Sequence, residues 1–216
     1  FINHAIQNGA KIIISNQKFE GIKKNILFIR SSNVRKSLSE FAYTIYKKKP
    51  KNIIAVTGTN GKSSVSDFYF QILKLNKKRV ASIGTLGVKT QNYTRKLSNT
   101  TVDPITLSII LNKLKKEKIN NVILEASSHG LKQNRLDGLE FKTGIFTNLS
   151  HDHLDYHKTF NDYLKSKLYL FHKLLKKKAN LIADMEIPQY RRIKEIAVKN
   201  KLNIQTISSN NGNLEI

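Results

Sequence analysis

The sequence predicts an α/β protein: a mostly parallel sheet of the phosphate-loop type, flanked by helices, with a partial second α/β unit on its N-terminal side. Three observations predict it. From residue 50 onward, short apolar runs alternate with segments of helical spacing. One junction, "IIAVTGTNGKSSVSDFYFQIL" from Ile53 to Leu73, reads strand, glycine loop, Lys-Ser, helix. Pro50 separates this alternation from a shorter β/α stretch before it.

The elements follow in order. "AIQNGAKIIISNQ" reads as a helix end, a turn at Gly9 and a strand Lys11–Ile14, and "NILFIR" as another strand. Leu38, Phe41, Ala42, Ile45 and Tyr46 form one helical face, which Pro50 ends. The domain boundary falls there, giving units 1–49 and 50–216. Asn52–Val56 reads as a strand and Lys62–Leu75 as a helix, with Val65, Phe68, Tyr69, Ile72 and Leu73 at helical spacing. Arg79–Ile83 is a short strand, and Asp103–Lys116 a helix with Pro104 in its first turn. "NVILEA" and Gly144–Thr147 are buried strands, Phe160–Lys176 a helix, "ANLIAD" a strand and Pro188–Asn200 a last helix. In such sheets ligands sit beyond the carboxyl ends of the strands, where the three most unusual motifs fall. There is no internal repeat and no low-complexity linker.

The chain's 216 residues allow one full domain plus part of another. A hydrophobic content of 39% and a charged content of 25% describe a soluble globular chain. No apolar run approaches the roughly 18 residues of a membrane span, and nothing at the start reads as a signal peptide. With no cysteine, disulfides and thiolate metal sites are excluded, which suits a reducing cytoplasm. The net charge of +23 invites a nucleic-acid partner. However, 31 of the 38 basic residues are Lys and 7 are Arg, and base readers lean on Arg. The lysines lie in scattered runs, and a bias towards AT-rich codons accounts for Lys, Asn and Ile together. No nucleic acid is expected. The chain opens on Phe1, and "SSNNGNLEI" offers no closing element, so a piece of a longer protein is expected.

The glycine loop carries the first chemistry. Gly58 and Gly61 let backbone N–H groups turn onto phosphate oxygens, and the helix from Lys62 adds the positive end of its dipole. Lys62 supplies charge to the β/γ-phosphates and Ser63 a hydroxyl for Mg²⁺. Gly58, Thr59, Asn60, Gly61, Lys62, Ser63 and Ser64 are therefore the expected ATP contacts. Where the usual pattern has its first glycine, this chain has Val56.

Three further stretches stand out. In "NVILEASSHGLKQNR", Glu125 closes a strand, either as a Mg²⁺ ligand or as a solvated strand-end carboxylate. Ser127-Ser128-His129 lacks the Gly-x-Ser-x-Gly elbow of a hydrolase. In "FTNLSHDHLDYHKTFNDYLKSKLYLF", five metal-capable side chains (His151, Asp152, His153, Asp155, His157) lie within seven residues, without the helical spacing of common zinc motifs. In "SNTTVDPITL", Asn99, Thr100 and Thr101 suit a polar ligand or a polar loop that caps the next helix.

The form "GTNGKS" resembles the ATP loop of the Mur ligase family, which includes folylpolyglutamate synthetases and makes amide bonds through an acyl phosphate. Asn121–Arg135 resembles the Glu-x-Ser-Ser-His-x-Leu-x-Gln-x-Arg segment of the family's UDP-N-acetylmuramoyl-tripeptide synthetase branch. Residues 147–157 resemble that branch's Thr-Asn-Leu-(Ser/Thr)-x-Asp-His-Leu-Asp-Tyr-His, and "SIGTLGV" is also similar. The resemblance implies that His153 is a Mg²⁺ ligand and that Lys167 is carbamylated by CO₂. From the residues alone Lys165 is an equal candidate, but Lys167 falls on the stripe of Leu164, Leu168 and Phe171 while Lys165 points outward. The implied metal set is Ser63, Glu125, His153 and Lys167, and the implied catalytic set Lys62, Lys167 and His153. Asn99, Thr100, Thr101, Ser127, Gln133 and Arg135 would hold the muramoyl dipeptide.

With ATP and Mg²⁺ as cofactors, the implied reaction adds meso-diaminopimelate or L-lysine to UDP-N-acetylmuramoyl-L-alanyl-D-glutamate, in the cytoplasm and as a monomer. Residues 1–49 would be the tail of the N-terminal UDP-binding domain and 50–216 an incomplete central ATP-binding domain. The C-terminal domain would be absent and the fragment inactive alone. Two other readings remain. A folylpolyglutamate synthetase would share the loop but lack the two later motifs, and a basic nucleic-acid-binding NTPase would show steeply salt-dependent binding.

Overall fold

The computed structural model describes residues 1–210 and 212–215. A short helix α1 (Ile2–Gln7) leads into β1 (Ile12–Ser15), β2 (Gly21–Lys23) and β3 (Ile26–Arg30). These form a three-stranded sheet in the order β1-β3-β2, with β1 parallel and β2 antiparallel to β3. Helix α2 (Val34–Ile45) follows. Asn33 caps it by accepting from the Lys36 amide at 3.0 Å.

The remaining strands are β4 (Asn52–Thr57), β5 (Val80–Gly84), β6 (Gly87–Lys89), β7 (Thr94–Arg95), β8 (Asn121–Glu125), β9 (Phe141–Phe146), β10 (Leu175–Asp184), β11 (Asn203–Ser208) and β12 (Leu214–Glu215). They make one nine-stranded sheet in the order β12-β11-β10-β9-β4-β8-β5-β6-β7. All pairings from β12 to β5 are parallel; β6 and β7 add an antiparallel edge. The helices are α3 (Lys62–Leu75), α4 (Pro104–Lys116), α5 (Ser128–Lys132), α6 (Leu154–His157), α7 (Phe160–Tyr169) and α8 (Tyr190–Lys199). Helix α3 packs on β4, β5 and β8, and α8 on β10 and β11. The α/β class and the mostly parallel sheet expected from the sequence are both present.

The central strands β4 and β8 are near-continuous apolar runs because both faces of their middles are covered, whereas β9 carries an exposed Lys142 near its start and is buried at Gly144 and Phe146. The chain runs from β4 through β8 on one side, then returns across β4 to β9 on the other. That reversal opens a crevice at the carboxyl ends of three adjacent strands.

Several expectations need correction. Helix α7 does not run to Lys176. It ends at Tyr169, a π-helical turn covers Leu170–Leu174, and β10 begins at Leu175. "LLKKK" is locally a good helix former, but Leu175 pairs with Phe141 of β9, and this pairing overrides propensity. The wide turn buries Leu170, Phe171 and Leu174 together.

The expected apolar face of α2 is covered only in part: Ala42 is buried and Tyr46 half-buried, but Leu38, Phe41 and Ile45 are 45%, 50% and 72% exposed, and Ser39 and Tyr43 are buried instead. In α3, Phe68 and Ile72 are exposed, and Ser66 and Phe70 face the sheet. Strands β2, β6, β7 and β11 and helices α5 and α6 lie in stretches where the sequence predicts no element. So does β12, which pairs with β11 in the closing segment; Asn211 and Ile216 of that segment lie outside the described residues. Among the described residues no helix is long and apolar enough to cross a membrane.

Candidate active site

Strand β4 is a ladder as far as Thr57. Val56 pairs with Glu125 and Ile145 and is fully buried, so its place is still inside the sheet and needs no glycine. The loop proper is Gly58–Gly61, and Lys62 opens α3 with Gly61 as N-cap. Gly58 has φ +148°, and a Cβ there would lie 1.8 Å from Thr147 Oγ1. Only glycine lets the loop pass the end of β9 this closely.

The loop is clamped from that strand. The Thr59 amide donates to Asn148 O at 3.0 Å, and the Asn60 amide to Asn148 Oδ1 at 2.9 Å. Thr147 Oγ1 donates to Asn60 O at 2.6 Å. The sequence reading assigned no role to Thr147 or Asn148. The "FTN" that follows β9 was the signal for them.

Two lysines meet on one carbonyl. Lys62 Nζ donates to Gly58 O at 3.0 Å and to Thr59 O at 2.6 Å. Lys167 Nζ, reaching in from α7, donates to the same Gly58 O at 2.5 Å. Lys167 is only 1% exposed, and its Nζ lies 4.3 Å from the ring centroid of Tyr163. Burial, and then the Lys62 ammonium, push its pKa down from 10.5 to about 7. Burial also lowers Lys62, opposed by Glu125 and Asp152. Lys165 is exposed, with Asp162 as an ion-pair partner at 4.0 Å.

Glu125 ends β8 and is 2% exposed. It accepts from Ser63 Oγ at 3.0 Å, from the Thr85 amide at 3.1 Å and from Thr85 Oγ1 at 3.1 Å. Among the described residues no ion pair reaches it. It lies against Gly84, where a Cβ would come within 2.1 Å of Oε1. Thr85 is a third residue that sequence reasoning missed, since "SIGTLGV" drew notice only as a whole.

Lys62, Ser63, Glu125, His153 and Lys167 all line one cavity of about 260 Å³, together with Thr59, Asn60, Gly61 and Ser64. An adjoining cavity of about 280 Å³ is lined by Asn99, Thr100, Thr101, Ser127, Arg135, His129 and His153. Thr100, Ser127 and His153 face both.

Within this second group the roles divide. Thr101 Oγ1 donates to Glu125 O at 2.7 Å and accepts from the Ser127 amide at 2.9 Å, so its hydroxyl is committed to the backbone. Gln133 lines neither cavity. Its Oε1 accepts from Arg135 Nε at 3.1 Å and Nη2 at 2.7 Å, which fixes the guanidinium. Ser127 caps α5 by accepting from the Gly130 amide at 3.1 Å.

The five metal-capable residues of the His/Asp stretch diverge. His151 packs on Phe160, Asp155 is exposed and His157 is buried, its Nδ1 lying 3.3 Å from Ser166 Oγ. His153 alone of the five lines the cavity, held by a left-handed backbone at φ 52° and edge-on to His129 at 5.0 Å. Among the described residues no three His, Cys, Asp or Glu converge on one point.

Comparison with known proteins adds the following. The model of the Mur ligase middle domain matches residues 56–216. The chain is 39% identical to the UDP-N-acetylmuramoyl-L-alanyl-D-glutamate--2,6-diaminopimelate ligase of Rickettsia bellii, over all of this chain and 46% of that protein. A solved structure of a ligase of that name superposes with a TM-score of 0.83 at 30% identity, covering 97% of this chain and 43% of the other. A bifunctional folylpolyglutamate synthase/dihydrofolate synthase, solved with Mn, AMPPNP and L-glutamate, gives a TM-score of 0.62 at 18% identity, over 79% and 47%. That likeness shows the fold alone. The chain spans less than half the length of the curated relatives it matches.

Proposed function

The chain belongs to the Mur ligase family, and on that premise we propose that it is the ATP-handling part of a ligase acting on UDP-N-acetylmuramoyl-L-alanyl-D-glutamate. The amino acid added is a diamino acid. The names of the relatives favour diaminopimelate over L-lysine. On this reading residues 1–49 are the tail of a UDP-binding domain, 50–216 are an incomplete ATP-binding domain, and the enzyme works in the cytoplasm, where its nucleotide substrates are made.

The observation that carries the reading is the meeting of Lys62, Glu125 and Lys167 on one small cavity at the carboxyl edge of the sheet. Two cations share a single carbonyl beside a buried carboxylate that has no cationic partner among the described residues. Lys62 fits a polyphosphate, and the carboxylate fits a divalent cation. Mg²⁺ would be held by Ser63, Glu125, His153 and a carboxylate on Lys167, and when bound it neutralises charge on the β- and γ-phosphates.

Lys167 is suited to carry that carboxylate. With its pKa lowered to about 7, a substantial share of it is neutral near pH 7. An exposed lysine is neutral in roughly one molecule in 2,500. The neutral amine attacks CO₂: an N–C bond forms as one C=O π bond opens onto oxygen, one proton leaves to solvent, and the neutral amine becomes a carbamate anion. Because the neutral amine is the reactive form, activity at fixed CO₂ should fall as pH drops below about 7 and Lys167 takes up a proton.

The neighbouring cavity would take the acceptor. Asn99, Thr100 and Ser127 offer neutral hydrogen bonds, and Arg135 offers its remaining N–H groups to a carboxylate. Thr101 and Gln133 hold those groups in place. The D-glutamate carboxylate attacks the γ-phosphorus as ADP leaves. The amine of the diamino acid then displaces phosphate from the acyl phosphate. The protein's work in the first step is to align two anions and offset their repulsion, which falls to Lys62 and the loop amides.

The test is Lys62→Ala in the full-length enzyme, assayed by ATP hydrolysis dependent on the muramoyl dipeptide and diaminopimelate. A loss of about a hundredfold or more is expected with the fold intact. Activity within threefold of the parent would overturn the reading.

A further inference from the structure

A cavity of about 670 Å³ lies at the opposite edge of the sheet from the glycine loop. It is built where β4, β9 and β10 begin. Strand β4 is six residues long and rises about 3.3 Å per residue, so roughly 20 Å of sheet separates the two sites.

Six of its thirteen lining residues are lysines, against 31 in the 216 residues of the chain, an enrichment of about threefold. They come from three separate segments. Lys49 and Lys51 flank Pro50 in the connection from α2 to β4, Lys142 stands at the start of β9, and Lys176, Lys177 and Lys178 are in β10.

One acidic residue, Glu140, faces them, and it is paired with Lys176 at 2.5 Å. Lys49 is half-buried and donates only to a carbonyl, Gly138 O, at 3.2 Å. The run in β10 is thrown out of register between Leu175 and Asn180, and Lys178 sits in the left-handed region at φ 65°. The ladder is thus interrupted where the three lysines lie. A scattered lysine surface from codon bias would spread its charge. Here folding gathers lysines nearly a hundred residues apart around a concave surface and leaves their charge largely uncompensated.

We propose that this cavity is a second, non-catalytic anion site that takes a polyphosphate chain, either free or carried on a small molecule. Its size is that of a small-molecule pocket, and each lysine presents a compact, rotatable point charge of the kind that contacts successive phosphates.

The test is calorimetric titration of inorganic tripolyphosphate, with EDTA present, into the chain carrying Lys62→Ala to weaken the loop site. The same titration is made after adding Lys142→Gln, Lys177→Gln and Lys178→Gln, all exposed side chains whose loss should leave the melting temperature unchanged. Affinity at least tenfold weaker in the second protein, with binding in the first falling linearly in log salt, supports the site. A parallel titration with ADP identifies the source. Binding of ADP that the three glutamines abolish points to a carried chain, and binding of tripolyphosphate alone points to a free one. Equal affinities in the two proteins, or no binding to the first at millimolar tripolyphosphate, overturn the proposal. Lys142→Glu alone serves if the triple variant melts early, and should itself weaken binding severalfold.

Discussion

Helices α2 and α7 carry the same kind of sequence pattern and meet different surroundings. In α2 the large apolar residues of the stripe, Leu38, Phe41 and Ile45, face solvent, and the buried residues are Ser39, Ala42 and Tyr43. In α7 the stripe of Leu164, Lys167 and Leu168 is buried, and it carries a lysine into the core with it. A period of 3.6 identifies a face, but what covers that face depends on distant parts of the chain. The N-terminal unit has little to cover α2 with. Of the main core cluster only Tyr43 belongs to it, and α2 rests on α4 instead. Helix α7 packs against α5 and α6 and reaches the loop through Lys167.

The largest effect expected from this contrast is on activity. Lys167→Met in the full-length enzyme should lower turnover by a hundredfold or more while leaving the melting temperature unchanged or higher, because a buried ammonium is itself costly to the fold. Lys165→Ala should be near normal, and added acetate should partly restore Lys167→Ala. A dead Lys165→Ala, or an active Lys167→Met, would break the distinction between the two lysines.

Next comes stability. Leu168→Ala in α7 should cost about 2–5 kcal/mol in urea unfolding, whereas Phe41→Ala in α2 should stay within about 0.5 kcal/mol. A comparable loss at Phe41 would mean that its stripe is covered in solution.

The smallest effect tests how the N-terminal unit is tied down. Tyr43 Oη donates to Arg135 O at 2.9 Å and Ser39 Oγ to Asn134 O at 2.5 Å, so α2 grips the segment that positions Arg135. Tyr43→Phe should cost about 1 kcal/mol in the same assay. If α2 positions Arg135, it should also raise KM for the muramoyl dipeptide more than it lowers kcat. A change in kcat alone would remove α2 from that role.

Local chemistry was legible from the sequence. Apolar period and turn residues fixed the strand–loop–helix around Gly58–Lys62, the bounds of α3 and the placing of α4 with Pro104 in its first turn, since each depends on neighbours within a few residues. The stripe through Leu164, Lys167 and Leu168 also separated two lysines that composition could not. Only the tertiary structure decided what lay between segments. The pairing of Leu175 with Phe141 goes with a shorter α7 and carries the strand expected at Ala179–Asp184 back to Leu175. The clamp of Thr147 and Asn148 on the loop, and the hold of Thr85 on Glu125, join strand ends tens of residues apart. The gathering of lysines at the far edge of the sheet is of the same kind. A side chain's partners across a sheet are set by strand order and register, which are properties of the whole chain and leave no periodic trace in any one stretch of it.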